Sequence, residues 1–458
     1  MKGMVIGGIG VFHVFVAQFA IGGGWLLCLL QWRAWKRGDA LARRFLDSYF
    51  RVLVLISFVV GALTGVGMWL TSIQVSARTI GMMVDEFHWI WATEWLFFLA
   101  EVIAGYTFYR YAGRLTDGTR FLLLLVYSLA AWGSLFWING ILSWQLTPGG
   151  EPGLGSVWGG FFNPSFWPSL VYRSFVSLTL GGLAALAVVQ AMKGITREER
   201  SHLARTCSLV LVPMTLMPLV GIWYVSVLPE DSRAWITGGS ALMTMAFGIA
   251  VAASSLLGLY VVFGVLWKKL HVSFATATLL LGLAFGASGA GELVREGVRK
   301  PYTIRDLLYS NSLTQDDVEH FREHGSVQGD PWPLRDPAPT ASLQTGQRVF
   351  RLQCSVCHTL NGANGVDHLV ETWRPDQMRM NLASLQHTKS FMPPFAGTAT
   401  ELEALVQFLL WRRRGEPGEW TDTTTHEDLD KNHRWLVEAT TAPQSHSDRS
   451  TPKHGGGR

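Results

Sequence analysis

The sequence predicts an all-α protein, in which a bundle of about eight membrane-spanning helices is followed by a small soluble α-helical domain. Of its 458 residues, 49% are hydrophobic and only 16% are charged, against roughly 25% charged residues in ordinary soluble domains. Apolar stretches of about 20 residues, the length that crosses the hydrocarbon layer as a helix, recur up to about residue 290. Beyond residue 300 no such stretch occurs, and charged and polar residues become frequent.

The net charge of +4 divides unequally along the chain. Up to residue 300, 22 Lys and Arg stand against 14 Asp and Glu, which gives +8; the remainder has 16 against 20, which gives −4. The positive charge therefore belongs to the membrane part, where it sets topology, and no nucleic-acid partner is expected. The 48 Gly show no three-residue period and there are only four Cys, which excludes collagen-like and disulfide-scaffold proteins.

Eight apolar stretches are predicted to span the membrane. They cover residues 9–31, 52–73, 88–110, 120–145, 168–192, 207–228, 235–267 and 272–290.

Basic residues in the connections predict the orientation, because Lys and Arg are retained on the cytoplasmic side. The connections after spans one, three, five and seven are rich in them, whereas the alternate connections contain only Arg78 and Arg233. The protein is therefore predicted to be a multi-pass protein of the bacterial inner membrane, with both termini in the periplasm.

Three polar residues within the spans are candidate functional residues, since ionisable groups in hydrocarbon are costly. Glu94 and Glu101 lie seven residues apart in the third span, which places them on one helix face about 10 Å apart along the axis. The alternative is a pair of structural carboxylates bonded to neighbouring helices. His13 lies near the start of the first span, where an imidazole serves either as a satisfied interfacial residue or as an axial haem ligand.

A C-x-x-C-H motif at Cys354, Cys357 and His358 predicts covalent haem attachment in the soluble domain. The two thiols would form thioethers with the haem, and His358 would take one axial position on the iron. A zinc site would need two further ligands, and no second Cys pair exists. The preceding amphipathic stretch and the later helix TELEALVQFLLW suit the two terminal helices of a small c-type cytochrome.

Met392, in the segment SFMPPF, is the predicted sixth ligand of that haem iron, because Met/His ligation is common in electron-transfer haem. Met378 and Met380 are the alternatives, in a segment that reads as helix. The domain boundaries predicted are 1–300 for the membrane domain, 301–340 for a linker, 341–440 for the cytochrome domain and 441–458 for a disordered tail.

With these residues identified, the membrane part resembles subunit I of the cytochrome bd oxidase family. Beyond His13 and the two helix-three carboxylates, the resemblance rests on GALTG at 61–65, WING at 137–140 and the E-x-x-R-x-P-aromatic pattern that begins at Glu296. It implies that His13 is an axial ligand of the oxygen-binding haem, that Glu94 lies at the same haem, and that Glu101 leads protons inward. Glu296 would bind a high-spin haem b, with Glu292 as the fallback.

Two departures from the quinol oxidases of that family affect the expected electron donor. Only about VLPEDSRAW joins spans six and seven, where those enzymes have a long quinol-binding loop, and the fifth span has Tyr172 and Arg173 where their low-spin haem ligand would fall. Met243 and Met245 remain in span seven. The appended cytochrome domain resembles what bd-like members without that loop have in its place.

The function that these observations predict is a bd-like terminal oxidase subunit, an oxidoreductase that reduces dioxygen to water with electrons from a periplasmic c-type haem. Its cofactors would be covalent haem c and, in the membrane, haem b, haem d or both. The expected partners are a second membrane subunit of the bd type and a periplasmic donor such as a c-type cytochrome. The alternatives are an electron-transfer cytochrome without oxygen reduction, or a reductase of another small molecule such as nitric oxide.

Overall fold

The computed structural model describes residues 2–149 and 156–441. The all-α prediction is confirmed, with one short antiparallel hairpin, Tyr302–Ile304 and Leu308–Tyr309, as the only strands in the described part. The chain divides into two compact units, one formed by residues 7–72 and 80–298 and the other by residues 1–6, 73–79 and 299–458. Of the tail predicted to be disordered over 441–458, residues 442–458 lie outside the described residues.

The first unit consists mainly of eight long helices. They are α1 Lys2–Arg37, α2 Ala40–Val75, α3 Ala77–Tyr111, α4 Asp117–Trp144, α5 Phe166–Ala191, α6 Arg197–Ser226, α7 Ala241–Trp267 and α8 Phe274–Gly297, with the short helices Val157–Phe161 and Glu230–Ala234 between them.

Seven of the described helices, all but α3, are long and apolar enough to cross a membrane. Helix α3 contains the predicted third span and is 35 residues long, but Glu94 and Glu101 lower its mean hydropathy. The carboxylates that make this helix a functional candidate are thus also what sets its composition apart from the other seven.

Helix α5 occupies the centre of the bundle, where it packs against α2, α4, α6 and α8. Its contact with α1 is very close: a Cβ placed on Gly22 would lie 1.7 Å from the Ser177 carbonyl oxygen, and one on Gly181 would lie 2.4 Å from the backbone of Gly22. Small residues at such crossings let helix backbones pack directly, which is how helices associate where lipid competes for apolar surface.

Polar side chains join the helix ends on the side of the Arg-rich and Lys-rich connections, called here the basic side. Arg120 is buried and donates to Gln31 Oε1 at 3.2 Å and to Asp47 Oδ1 at 3.0 Å. Gln31 in turn donates to Asp117, which also pairs with Arg43. These bonds connect α1, α2 and α4 and satisfy a guanidinium that would be costly to bury alone.

Several of the long helices contain irregular turns with identifiable causes. Helix α2 widens into a π-helical segment at Leu55–Gly61, and α6 tightens into a 3₁₀ segment at Leu209–Leu216, which contains Pro213. Before α7 the chain breaks at Gly238, whose φ of 122° suits glycine. The predicted seventh span thus begins as helix at Ala241 and not at residue 235.

The second unit is built around the predicted cytochrome domain. Its longer helices are α9 Gln315–His324, α10 Ala341–Val349, α11 Pro375–Ala383, α12 Ala399–Arg413 and α13 His426–Thr441. Helices α10 and α12 are the two predicted terminal helices of the domain, and they cross so closely that a Cβ on Gly346 would lie 2.1 Å from the Ala404 carbonyl oxygen.

Residues 301–340, predicted to be a linker, contain the hairpin and α9 and belong to this second compact unit. The Glu401 carboxylate, at the start of α12, accepts hydrogen bonds from the backbone amides of Ser326 and Val327 at 2.7 to 2.8 Å. The connection between α2 and α3 belongs to the same unit: Ser76 and Ser312 hydroxyls are 2.8 Å apart, and Arg78 pairs with Asp317.

Candidate functional site: two histidines and a column of carboxylates

The C-x-x-C-H motif begins at the end of a π-helical segment, Phe350–Cys354, that continues α10. A tight turn follows, because the amides of Cys357 and His358 both donate to the Cys354 carbonyl, at 3.1 and 2.8 Å. Both thiols are free, Cys354 half-buried and Cys357 exposed. Burial raises the pKa of the Cys354 thiol to about 12, so that thiol is neutral at physiological pH.

His358 is oriented by a backbone carbonyl. Its Nδ1 lies 3.2 Å from the carbonyl oxygen of Asn364, and Asn364 Nδ2 donates back to the Cys357 carbonyl at 2.8 Å. A carbonyl can only accept, so Nδ1 carries the ring proton and Nε2 presents its lone pair. An imidazole held in this way is fitted to bind a haem iron through Nε2.

The three candidate sulfur ligands differ in their surroundings. Met378 lies in α11, is completely buried and belongs to the domain core. Met380 is also in α11, and 45% of it is exposed. Met392 is half-buried in an irregular segment before α12, where its amide donates to the Lys389 carbonyl at 2.8 Å. Of the three, only Met392 is neither committed to the core nor part of a helix.

His13 is held from α1 by the predicted GALTG segment of α2. Its Nδ1 lies 3.1 Å from the Thr64 hydroxyl, and a Cβ on Gly65 would lie 3.1 Å from its Cε1. The Thr64 hydroxyl has a single proton, which it donates to the Val60 carbonyl at 2.7 Å. With that proton donated to a carbonyl, Nδ1 is assigned as the donor to Thr64, and Nε2 of His13 presents its lone pair, as in His358.

The first carboxylate of α3 is hydrogen-bonded to α4. The Ser134 hydroxyl donates to Glu94 Oε1 at 2.5 Å. Seven residues along each helix, Glu101 faces the Tyr127 hydroxyl, without a hydrogen bond of standard geometry, because α3 and α4 run antiparallel. The two carboxylates thus lie on one face of α3, as predicted, and form two successive levels about 10 Å apart.

Contacts between neighbouring helices bear on the depth of His13 relative to Glu94. Gly65 of α2 lies against His13, and four residues further along α2 the Trp69 ring packs against Trp91 of α3, with ring centroids 5.3 Å apart. Since α2 and α3 are antiparallel, Gly65 lies level with the residue four positions after Trp91. That residue is adjacent to Glu94, so this contact places Glu94 near the depth of His13, whereas the Cys28–Ser128 contact between α1 and α4 places it nearer the basic side.

Glu296 lies at a different depth. Phe15 packs edge-to-face on Phe285 of α8 with ring centroids 5.0 Å apart, and a Cβ on Gly289 would lie 3.6 Å from Val11. Position 287 of α8 is therefore level with His13. Glu296 is nine residues farther along α8, about 13 Å toward the side opposite the basic side, so Glu296 and His13 lie at different depths.

A half-buried ion pair accompanies Glu296 at the end of α8. Arg295 donates to Glu292 Oε2 at 2.7 Å, and Arg173 of α5 approaches Glu292 Oε1 at 4.0 Å. Glu292, the fallback for Glu296, is thus already engaged with two guanidinium groups.

Three hydroxyl residues of this site, Thr64, Ser134 and Tyr127, were not singled out from the sequence. Thr64 lies within the GALTG segment, but Ser134 and Tyr127 are separated from their carboxylate partners by 40 and 26 positions along the chain. Their only sequence signal is the equal seven-residue spacing from Ser134 to Tyr127 and from Glu94 to Glu101.

Two family models match the chain. Residues 5–234 match the family model described as cytochrome bd terminal oxidase subunit I. The chain belongs to that family. Residues 341–409 match the model described as cytochrome c oxidase, cbb3-type, subunit III, so the C-terminal unit is a cytochrome c domain fused to a bd-type subunit.

A solved structure has the same fold. The chain is similar to the bd oxidase from Geobacillus thermodenitrificans with a TM-score of 0.61 and 14% sequence identity, over 70% of this chain and 91% of that one. A comparison with curated protein sequences found no match. The two families establish a multi-pass membrane oxidoreductase that binds haem, of the c type in the C-terminal domain, with a role in electron transport.

The residues present fit haem in both units. In each, a histidine has its Nδ1 proton engaged and its Nε2 lone pair available. Among the described residues, no three His, Cys, Asp or Glu are grouped so that they could hold a metal ion by themselves. Haem needs no such group, since the porphyrin supplies the equatorial ligands and the protein only the axial ones.

Proposed function

We propose that this protein is an oxygen reductase subunit that accepts electrons at the c-type haem of its C-terminal domain and passes them to haem in the membrane unit, where dioxygen is reduced to water. The observation that carries the proposal is the pair of carboxylates on one face of α3, with Glu94 bonded to Ser134 and Glu101 one level nearer the basic side, in the bundle that also contains His13. An electron conduit requires haem ligands, whereas reduction of dioxygen to water also requires a supply of protons. The carboxylate column provides sites for such a supply.

In this proposal each residue has a distinct task. Haem, when bound, supplies one-electron transfer and the iron at which oxygen is reduced. His13 would hold that iron through Nε2, with Thr64 fixing the ring. Glu94 offers a proton acceptor and donor, and Ser134 holds its carboxylate in place. Glu101 receives protons from the basic side and passes them toward Glu94.

The electron donor proposed is a periplasmic protein such as a c-type cytochrome, and not quinol directly. Only residues 227–240 join α6 and α7, and they contain the short helix Glu230–Ala234, which leaves no room for a folded quinol-binding loop. Arg173, at the expected place of a low-spin haem ligand, faces Glu292. Support for entry through the C-terminal domain comes from the haem-attachment motif in the same chain.

The remaining assignments are proposals of the same kind. Glu296 is proposed to bind a second membrane haem, Met392 to complete the c-type site, and the membrane haems to be haem b, haem d or both. A second bd-type subunit is proposed as the membrane partner. The second unit includes the α2–α3 connection, whose Ser76 and Arg78 bond to Ser312 and Asp317 within it; this supports a periplasmic location for that unit, because the connection is predicted to lie outside.

The decisive test is oxygen consumption by the purified complex with a reduced c-type cytochrome as donor. We expect consumption that cyanide and carbon monoxide inhibit, and its loss by two orders of magnitude or so in Glu101→Gln at unchanged haem content, since positioned acid-base groups contribute roughly this much. A complex that exchanges electrons with the donor but neither binds carbon monoxide nor consumes oxygen would be an electron-transfer cytochrome, and the proposal would be wrong.

A further inference from the structure

Tyr127 is a buried tyrosine whose hydroxyl has no evident structural role. Its side chain is completely buried in α4, and its hydroxyl has no hydrogen-bond partner of standard geometry among the described residues. The buried hydroxyl of Ser57 in α2 is in the same state. Buried polar groups are normally paired, so two adjacent exceptions in one protein call for an explanation.

The two hydroxyls are neighbours, and they lie beside Glu101. The Tyr127 ring lies against Gly105, one helical turn after Glu101 on α3, and its hydroxyl is within reach of both the Glu101 carboxyl and the Ser57 hydroxyl, although neither contact has standard hydrogen-bond geometry. Glu101 lies ten residues from the basic end of α3, and Tyr127 lies ten residues from the basic end of α4. Both residues are therefore about 15 Å from the basic ends of their helices.

The backbone around this cluster fixes the position of Tyr127. A Cβ on Gly24 of α1 would lie 2.9 Å from ring atom Cε1, and a Cβ on Gly105 of α3 would lie 3.3 Å from Cδ2. The ring is therefore clamped between two glycines, which aims the hydroxyl at one place. Ser57 lies in the π-helical segment Leu55–Gly61, and such wide turns are frequent at functional sites.

A second buried tyrosine shows what a structural hydroxyl looks like in the same bundle. Tyr49 of α2 is also completely buried, and its hydroxyl donates to the Gly181 carbonyl at 2.8 Å. That bond ties α2 to α5. Tyr127 has the same burial but no such bond to a carbonyl; its hydroxyl instead faces the Glu101 carboxyl, which can accept its proton, and the Ser57 hydroxyl, which can supply one.

We propose that Ser57 and Tyr127 form a proton relay that loads Glu101, an inference that rests on the proposed function. In one passage the Tyr127 O–H bond breaks as an O–H bond forms on the Glu101 carboxylate. The phenol oxygen takes the Ser57 proton, and the Ser57 oxygen is reprotonated by water from the basic side. Each hydroxyl ends as it began, and one proton has moved from water to Glu101.

The test uses the full-length protein with Tyr127→Phe and Ser57→Ala, and with Tyr49→Phe as the matched control. We expect Tyr127→Phe to lower oxygen turnover by on the order of tenfold or more and to increase the ratio of rates in H₂O and D₂O, at unchanged haem content. Ser57→Ala should do the same to a smaller extent, and Tyr49→Phe should leave both quantities at the wild-type value.

An infrared measurement makes the test independent of turnover. At acidic pH the carbonyl stretch of protonated Glu101, identified by its loss in Glu101→Gln, should move to higher wavenumber in Tyr127→Phe and stay in place in Tyr49→Phe. A wild-type band position together with wild-type turnover in Tyr127→Phe would overturn the relay. Wild-type protein that consumes no oxygen would instead contradict the proposed function, while the band shift would still report on the Tyr127–Glu101 contact.

Discussion

The two histidines proposed as haem ligands reach the same electronic state by different means. In both, Nδ1 donates its proton and Nε2 presents its lone pair, but His358 donates to a backbone carbonyl six residues away, whereas His13 donates to the side chain of Thr64, 51 residues away on another helix. Side-chain substitution cannot remove the first acceptor. It can remove the second, so the membrane site depends on helix packing in a way that the C-terminal site does not.

The largest loss of activity is expected when the two motif thiols are removed, because they attach the haem covalently. Cys354→Ala combined with Cys357→Ala should abolish covalent haem and reduce donor-driven oxygen consumption to background, while the membrane haems remain. The measurements are haem staining after denaturing electrophoresis and oxygen uptake.

Cys207→Ala is the control for that experiment, since Cys207 is buried in the membrane unit and should leave both signals unchanged. Retention of donor-driven uptake in the double variant would show that electrons enter the membrane unit without the C-terminal domain.

The same contrast explains what the sequence could predict. Cys354, Cys357 and His358 act within five positions, so the motif names the haem type and three of its attachment points by itself. The membrane site is assembled from α1, α2, α3 and α4, and each helix contributes one or two ordinary residues. Glu94 and Glu101 could be recognised in the sequence because a charged group within a membrane span has a high free-energy cost. Thr64 and Ser134 could not, because a hydroxyl within a span has a low one.

The depth of Glu296 could not be predicted for a related reason. From the sequence, His13 and Glu296 both lie near the outer side of the membrane and could surround one haem-containing layer. The contacts of Phe15 and Val11 with α8 fix the register of the two helices, and a register is set by packing between segments some 270 residues apart. Hydropathy alone places a helix across the membrane but does not fix its depth relative to the neighbouring helices.

The second prediction follows from that register and concerns haem number. His13→Ala and Glu296→Ala should each lose a membrane haem, but different ones, because the two positions differ by about 13 Å in depth. Haem-to-protein ratios and difference spectra of the single and double variants measure this. The losses should add in the double variant; identical spectra of the two single variants would place both residues at one haem.

Glu292→Gln serves as the control for Glu296. Its carboxylate is engaged with Arg295, so the expected result is a less stable protein with unchanged haem content. Loss of haem in Glu292→Gln but not in Glu296→Ala would transfer the ligand role to Glu292.

The third prediction tests the sixth ligand of the c-type haem and should be milder, since Cys354, Cys357 and His358 would still hold the haem. Met392→Ala should remove the sulfur-to-iron absorption band and lower the reduction potential, because Met ligation raises it. Met380→Ala is the control, as Met380 lies in α11 with 45% of its surface exposed. A band that survives in Met392→Ala and disappears in Met380→Ala would reverse the assignment.

The smallest loss of haem is expected from Thr64→Val. This variant directly tests the difference between the two histidines, since it changes only the acceptor of His13. This change keeps the shape of the side chain but removes the acceptor for His13 Nδ1, and loss of such a supporting partner typically weakens metal binding 10- to 100-fold. We expect lower occupancy of the His13 haem by roughly tenfold in affinity, measured by haem titration of the purified protein, with the c-type haem unaffected. Thr71→Val is the matched control: Thr71 lies seven residues further on α2 and donates to the Gly67 carbonyl at 2.6 Å, as Thr64 donates to Val60. If both variants lose haem equally, the loss reflects helix stability and His13 is oriented by something other than Thr64.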